Sequence, residues 1–128
     1  MIKQKGVTLI EMLIAVAIIG VLTAIAYPSY QDHVLKGHRT QAMGDLIKIQ
    51  LALEEDYTKN KKYELTIAND CEFCDSDITR YKLTAVSHAS GYEILATPYS
   101  NGPQKNDECK TLSIYANGKT SAAKSSCW

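Results

Sequence analysis

The sequence has no excess of charge of either sign, because 14 Lys and Arg residues balance 14 Asp and Glu residues. This balance argues against a nucleic acid or an anionic surface as the main partner of the whole chain. Removing the first six residues takes away Lys3 and Lys5 and leaves 12 basic against 14 acidic side chains. The resulting excess of acidic side chains argues mildly against DNA as a partner.

The sequence also lacks catalytic motifs. It contains no Ser/His/Asp arrangement, no phosphate-binding P-loop and no pair of carboxylates placed for acid–base catalysis. It has no internal repeat and no low-complexity tract. We therefore predict that the chain is not an enzyme and uses no cofactor.

A long stretch near the N-terminus has almost no charge, since Glu11 is the only charged side chain among the 21 residues from position 7 to position 27. At about 1.5 Å per helical residue this stretch spans roughly 32 Å, which is close to the hydrocarbon thickness of a bilayer. A carboxylate in such a helix is costly even near the end of the span. We therefore expect Glu11 to have a partner.

This stretch differs from a cleavable secretory signal. Its apolar run is longer than the usual 7 to about 15 residues, and no small-x-small cleavage site clearly follows it. An uncleaved membrane anchor with Lys3 and Lys5 in the cytoplasm agrees with the positive-inside rule. That alternative leaves Glu11 unexplained.

The N-terminus carries a specific motif. It reads Lys5-Gly6-Val7-Thr8-Leu9-Ile10-Glu11, followed by an Ala/Ile-rich run and Tyr27-Pro28. This motif resembles the class III signal of type IV prepilins and of the related type II secretion pseudopilins. The resemblance implies that a prepilin peptidase cuts between Gly6 and Val7 and methylates the new amine of Val7. Most members of the family have phenylalanine where this chain has Val7.

The resemblance offers two partners for Glu11. After cleavage, Val7 carries a positive amine one helical turn from Glu11, so the two groups can pair within one subunit. The amine of an incoming subunit can instead meet Glu11 of a subunit already in the filament, and this pairing would set the axial register. A buried charge without a partner is strongly disfavoured, so the second pairing would select correct docking.

The resemblance also implies a domain organisation and an α+β fold. We expect a leader peptide at residues 1–6, a transmembrane and filament-core helix at 7–32, and a soluble pilin domain at 33–128. In the type IV pilin fold, one long N-terminal helix packs its C-terminal half on a small antiparallel β-sheet. The expected location is the inner membrane, with the N-terminus in the cytoplasm, and then the extracellular fibre.

After residue 33 the apolar pattern becomes amphipathic. Ala42, Leu46, Ile49, Leu53 and Tyr57 are spaced 4, 3, 4 and 4 residues apart, which predicts one helical stripe. The charged and polar residues fall largely on other faces: Lys36, His38, Arg39, Asp45, Lys48, Glu54 and Glu55. The whole pattern predicts one helix from about residue 8 to about residue 58.

Proline and glycine are expected to modify this helix. Pro28 removes a backbone donor and should kink it. Gly20, Gly37 and Gly44 are unfavourable in a helix interior, so we expect bending or close approach there.

The remaining chain has strand patterns. Residues 58–80 are expected to form a connecting loop. Alternating residues from Tyr81 and from Gly91 predict a hairpin joined by His88-Ala89-Ser90. A third strand is predicted from Cys109, a loop at residues 99–107, and a short fourth strand at 119–122 after the Asn117-Gly118 turn.

Four cysteines allow two disulfides with three possible connectivities. Similar pilins close their C-terminal region with one bridge, which implies Cys109–Cys127 and leaves Cys71–Cys74. Redox catalysis by the Cys71-Glu72-Phe73-Cys74 motif is disfavoured, because no βαβ context surrounds it. A four-cysteine zinc site is disfavoured because Cys109 and Cys127 are not closely spaced.

Several other residues have a functional and a plain structural interpretation. His33 and His38 are expected to be solvated helix residues, and His88 a turn residue. The run Lys59, Lys61 and Lys62 could contact DNA phosphates, but such runs are usually solvated. The eight tyrosines are expected to build core and filament contacts.

Within the family, the short soluble body and the C-terminal Ser126-Cys127-Trp128 look most like PilE-type minor pilins. Our first hypothesis is therefore a minor pilin that supports pilus biogenesis and pilus-dependent motility, adhesion or DNA uptake, ahead of a major pilin and a DNA-binding competence pilin. A type II secretion pseudopilin is disfavoured, because those proteins usually lack the C-terminal bridge and instead bind calcium. The expected partners are other pilin subunits, prepilin peptidase, the inner-membrane assembly platform and membrane lipid. DNA is possible but not favoured.

Overall fold

A computed structural model describes residues 2–128 and shows an α+β chain. The N-terminal helix α1 covers Leu9–Asn60, close to the predicted bounds. Four strands follow: β1 (Tyr81–His88), β2 (Gly91–Pro98), β3 (Leu112–Tyr115) and β4 (Thr120–Ser121). Short 3₁₀ turns cover Leu65–Ala68, Pro103–Asn106 and Ser125–Cys127. Met1, the first residue of the expected leader, lies outside the described residues.

The chain divides into two units, Met1–Val34 and Leu35–Trp128. In the first unit, the large apolar side chains of α1 are exposed, from Leu9 at 80% to Ile25 at 71%. The helix contains a stretch with a mean hydropathy of 2.6 that is long and apolar enough to cross a membrane. It continues through Pro28, so the expected kink does not interrupt it.

In the second unit, α1 buries one stripe against the sheet. Ala42, Leu46, Ile49 and Leu53 are fully buried, as the spacing predicts. Tyr57, the last predicted member of the stripe, is 41% exposed. Its ring stacks on Tyr63, with centroids 4.6 Å apart. The stripe therefore ends at Leu53.

The strands form one antiparallel sheet in the order β1-β2-β3-β4. The predicted first hairpin is confirmed, with His88 paired to Gly91 and Tyr81 paired to Pro98. Alternate residues of β2 and β3 face the helix and are buried: Tyr92, Ile94, Ala96, Leu112 and Ile114. Burying an apolar side chain of this size contributes about 1.5 to 3 kcal/mol, so this layer is the main stabilising feature of the second unit.

Glycine is required at the first hairpin. Gly91 has φ 134°, a conformation that L side chains rarely adopt. A Cβ atom on Gly91 would lie 2.6 Å from Cβ of Ala116. By contrast, a Cβ on Gly20, Gly37 or Gly44 would meet nothing within 4 Å. The close approach expected at these helical glycines is therefore not found within this chain.

The structure corrects four details of the strand prediction. The third strand begins at Leu112 rather than at Cys109, because Lys110 has φ 52° and its amide donates to the Asp107 carbonyl in a turn. The fourth strand covers only Thr120–Ser121. His88 is the last residue of β1 rather than a turn residue. The predicted loops at residues 58–80 and 99–107 contain the first two 3₁₀ turns.

Two disulfides cross-link the second unit, Cys71–Cys74 and Cys109–Cys127. No free thiol is left on any of the four cysteines. Cys109 is 1% exposed and belongs to the core, whereas Cys127 is half-buried. The Trp128 indole donates to the Ser121 carbonyl at 2.9 Å, which holds the C-terminus on β4. The Cys109–Cys127 bridge therefore fastens the chain terminus to the core.

We expect the Cys109→Ser/Cys127→Ser variant to lose about 3 kcal/mol of unfolding free energy, because this bridge closes a loop of about 19 residues. The matched Cys71→Ser/Cys74→Ser variant opens a ring of only four residues and should lose about 2 kcal/mol in the same entropy model. Urea unfolding of the full chain in detergent, followed by the fluorescence of the single tryptophan, gives both values. A larger loss in the Cys71/Cys74 variant would contradict the anchoring role of the C-terminal bridge.

Candidate functional site

The first functional region is the start of α1. Residues 2–8 are not helical, so the Gly6–Val7 peptide lies in exposed chain ahead of the first helical residue, Leu9. The Thr8 amide donates to Glu11 Oε2 at 2.8 Å, and the Glu11 amide donates to Thr8 Oγ1 at 3.3 Å. These reciprocal bonds form a capping box, which satisfies amides that have no partner within the helix.

The capping box gives Glu11 a partner that the sequence analysis missed. Both expected partners were an amine of Val7, but here the leader is attached and Val7 has an ordinary amide. The local signal was present, because Thr-x-x-Glu is the sequence pattern of a capping box.

A buried carboxylate anchors the loop between α1 and β1. Asp45 was expected on an exposed face, but it is 1% exposed. It accepts hydrogen bonds from the amide of Asp75 at 3.0 Å and the amide of Ser76 at 2.6 Å, and another from the Ser76 hydroxyl. Lys48 bridges Asp75 and Asp45, and its hydrogen bond to Asp75 raises the pKa of the Lys48 amine. The loop that carries the Cys71–Cys74 ring is thus fixed to the helix.

A second buried polar network fastens the loop between β2 and β3. Arg39 pairs with Asp107 at 2.5 Å, and the Tyr81 hydroxyl donates to Asp107 at 3.3 Å. Gln104 is fully buried, and its side-chain amide donates to the Leu35 carbonyl at 2.8 Å. Burial, together with the neighbouring Asp107 carboxylate, raises the pKa of the Tyr81 hydroxyl. The network holds residues 103–107 beside the first turn of α1 in this unit.

An aromatic cluster lies beside the last turns of α1. Tyr63 stacks on Tyr57 and meets Tyr92 edge-on, with ring centroids 4.8 Å apart. The Tyr92 hydroxyl donates to Glu54 at 2.7 Å. Because Tyr92 follows the first hairpin turn, these contacts place the end of the helix near that turn.

The exposed cations fall into paired and unpaired groups. Lys59 pairs with Glu55 at 2.7 Å, and Lys124 pairs with Glu108 at 2.6 Å. The described residues offer no carboxylate within 4 Å to the other lysines of the second unit: Lys36, Lys61, Lys62, Lys82, Lys105, Lys110 and Lys119. The predicted basic run is therefore one paired and two unpaired lysines.

The end of α1 exposes the two unpaired lysines of this run. The Lys61 amide donates to the Tyr57 carbonyl at 2.8 Å, and Lys61 has φ 57°, so it ends the helix in the left-handed conformation. Lys62 follows directly and is also exposed. Both amines are therefore available to an external anion.

The histidines and cysteines show no metal site within the part of the chain that the structure describes, where no three potential ligands cluster. His33 is exposed and His38 is half-buried on α1. His88 Nε2 lies 3.0 Å from Glu93 Oε2. Burial raises the pKa of the Glu93 carboxyl, but hydrogen bonds from His88, Ser113 and Tyr115 outweigh it and lower the pKa overall.

Comparison with known protein families decides among the interpretations of the sequence. Residues 28–113 match the family model described as the type IV minor pilin ComP, a DNA uptake sequence receptor. The chain belongs to this family. Residues 1–27 match the prokaryotic N-terminal methylation motif, so the predicted prepilin signal is confirmed.

The chain is also similar to individual pilins. It is 31% identical over 125 residues to the type IV major pilin protein PilE1 of Neisseria gonorrhoeae, covering 97% of this chain and 69% of that protein. It is 44% identical over 70 residues to fimbrial protein Q of Moraxella bovis, covering 54% of this chain but only 45% of the relative. With the type IV major alpha-pilin of the same organism, 49% identity extends over 32% of the relative. The chain therefore spans less than half the length of these two Moraxella bovis proteins.

A solved structure confirms the fold of this chain. The type IV pilin from Shewanella oneidensis superposes with a TM-score of 0.55 at 23% identity, covering 73% of this chain and 97% of that one. Both the expected fold class and the expected family are thus confirmed.

Proposed function

We propose that this chain is a minor subunit of a type IV pilus that takes part in DNA uptake. Prepilin peptidase removes residues 1–6 and methylates Val7, and residues 7–32 then hold the protein in the inner membrane. The assembly platform transfers it to the fibre, where other pilin subunits cover its apolar helix. The family match at residues 28–113 is the observation that carries this proposal, and the exposed apolar face of α1 supports it.

In this proposal, Glu11 changes its partner during assembly. Before cleavage its carboxylate accepts the Thr8 amide. In the fibre it meets the Val7 amine of a neighbouring subunit, which has a full positive charge. An ion pair removed from water is favourable only with good geometry, so this contact selects one register among the possible dockings.

We expect Glu11→Val to be cleaved normally but to be missing from sheared fibres, because cleavage depends on the Gly6–Val7 junction rather than on the carboxylate. Glu11→Gln is the matched control: its side-chain oxygen can still accept the Thr8 amide, but it has no charge. If the charge sets the register, both variants should accumulate in the membrane. Immunoblots of membrane and sheared-fibre fractions measure this distribution.

Normal incorporation of Glu11→Gln would show that helix capping, and not the ion pair, is what assembly requires. Equal incorporation of Glu11→Val and wild type would show that assembly requires neither the helix cap nor the ion pair.

DNA binding by this chain has to come from local positive charge, because the side chains that remain after cleavage include 12 basic and 14 acidic groups. The end of α1 offers Lys61 and Lys62 without carboxylate partners, beside the aromatic cluster and the first hairpin turn. Lys119 in the last hairpin turn is also exposed and unpaired within residues 2–128. Its turn lies near α1, since the Gln50 side chain donates to the Tyr115 carbonyl. We assign the DNA phosphate contacts to these three lysines.

We expect Lys61→Gln/Lys62→Gln to weaken duplex DNA binding and to lower the slope of log K against log salt by about 2, which is about 1 for each phosphate that a lysine no longer neutralises. The control Lys105→Gln/Lys110→Gln removes the same charge from another part of the unit and should leave the slope unchanged. Binding is measured with the full chain in neutral-lipid nanodiscs at several salt concentrations. Equal weakening in the two variants would contradict a DNA site at the end of α1.

A further inference from the structure

A second group of unpaired lysines includes Lys36, which follows the apolar segment closely in the sequence. Tyr27 and Tyr30 are 60% and 67% exposed at that end, and tyrosine is enriched where a membrane helix leaves the hydrocarbon. Lys36 follows Tyr30 by six residues, which is about 9 Å of helix. The two tyrosines therefore mark a membrane interface, and Lys36 lies within reach of its headgroup layer.

The loop before β3 adds two lysines beside the start of α1 in the second unit. Gln104 is fully buried and bonded to the Leu35 carbonyl, so the residue next to it, Lys105, is held beside the helix. The Lys110 amine donates to the Lys105 carbonyl at 3.0 Å, which brings the second lysine to the same place. The position of both lysines is fixed by contacts within the second unit.

The carboxylates of this loop are already neutralised. Asp107 is paired with Arg39 and Glu108 with Lys124. Lys36, Lys105 and Lys110 are exposed and, among residues 2–128, have no carboxylate within 4 Å. Asp32 is the exposed carboxylate nearest to Lys36 in sequence. We call Lys36, Lys105 and Lys110 the basal lysines.

We propose that the basal lysines bind the phosphate groups of anionic phospholipids while the protein is held in the membrane. The inference rests on the membrane insertion in the proposed function. A lysine near an anionic bilayer gains from its negative surface potential, and the effect decays within a Debye length of about 8 to 10 Å. The contact would hold the soluble domain against the headgroups before assembly and would be given up when the subunit enters the fibre.

The test measures how fast each lysine of the full chain reacts with an amine-specific reagent, read by mass spectrometry. The protein is placed in nanodiscs of phosphatidylcholine alone or with phosphatidylglycerol. The basal lysines should react about fivefold more slowly in the anionic discs, and about 1 M salt should remove the difference. Lys61 and Lys62 serve as internal controls and should react equally in both discs.

A variant pair tests whether the basal lysines act together. Lys105→Gln/Lys110→Gln should weaken the protection of Lys36 by the anionic lipid. Lys61→Gln/Lys62→Gln, which removes the same charge elsewhere, should leave it unchanged. Unchanged protection of Lys36 in the first variant would overturn the proposal of a shared surface.

Three further outcomes would also contradict the proposal. Equal reaction rates of the basal lysines in the two discs would show that the lipid charge is not recognised. If Lys61 and Lys62 were slowed as much as the basal lysines, the anionic disc would act on all exposed lysines rather than on a specific site. Protection by duplex DNA in neutral discs, with none by phosphatidylglycerol, would make these lysines a DNA site. Failure of the chain to insert into either disc is a separate result, and it would count against the proposed function instead.

Discussion

The structure depends on one helix, Leu9–Asn60, whose two halves have different surfaces. Its first half exposes almost every large apolar side chain, and an apolar surface of this extent marks a site of contact with a membrane or with other proteins. Lipid before assembly and neighbouring helices after it are two environments that can cover this surface. Its second half buries a narrow stripe and leaves the remaining faces to water, so the sheet needs to cover only one side. The change occurs near Val34, where the chain divides into its two units.

Polar contacts, rather than additional apolar area, position the loops of the small second unit. Asp45 and Gln104 are both buried on or against α1, and each bonds to chain that is far away in sequence. A buried polar group that loses its partner costs about 1 to 3 kcal/mol, so each anchor strongly disfavours a displaced loop. The Cys71–Cys74 ring and the lysines before β3 therefore have defined positions although they lie in irregular chain.

The sequence predicts those helices and strands whose apolar residues repeat with a regular local spacing. The stripe from Ala42 to Leu53 and the alternation in β1 and β2 follow directly from which side chains avoid water. Local periodicity predicts the wrong face for Asp45, because its partners are 30 and 31 residues away and leave no local signal. The third strand was started too early because the alternation continues through Cys109, while the positive φ of Lys110 is set by a turn.

The candidate site could be predicted only where a motif marks it. The prepilin signal was recognisable because its residues are contiguous, whereas the basal lysines come together through Gln104 and Leu35, which are 69 residues apart. The net charge of the chain also does not show where the positive charge lies, since several exposed cations are paired with carboxylates and others are not. A near-neutral chain can in this way present positive surfaces at two separate places.

The central claim is that this chain is processed at Val7 and enters a pilus as a minor subunit. Mass spectrometry of sheared filaments tests it most directly, because one sample reports the N-terminus, the abundance and both disulfides. The account predicts a methylated Val7 at the N-terminus, intact Cys71–Cys74 and Cys109–Cys127 bridges, and a small amount relative to another pilin. Absence from filaments that contain other pilins, or presence with residues 1–6 still attached, would contradict it.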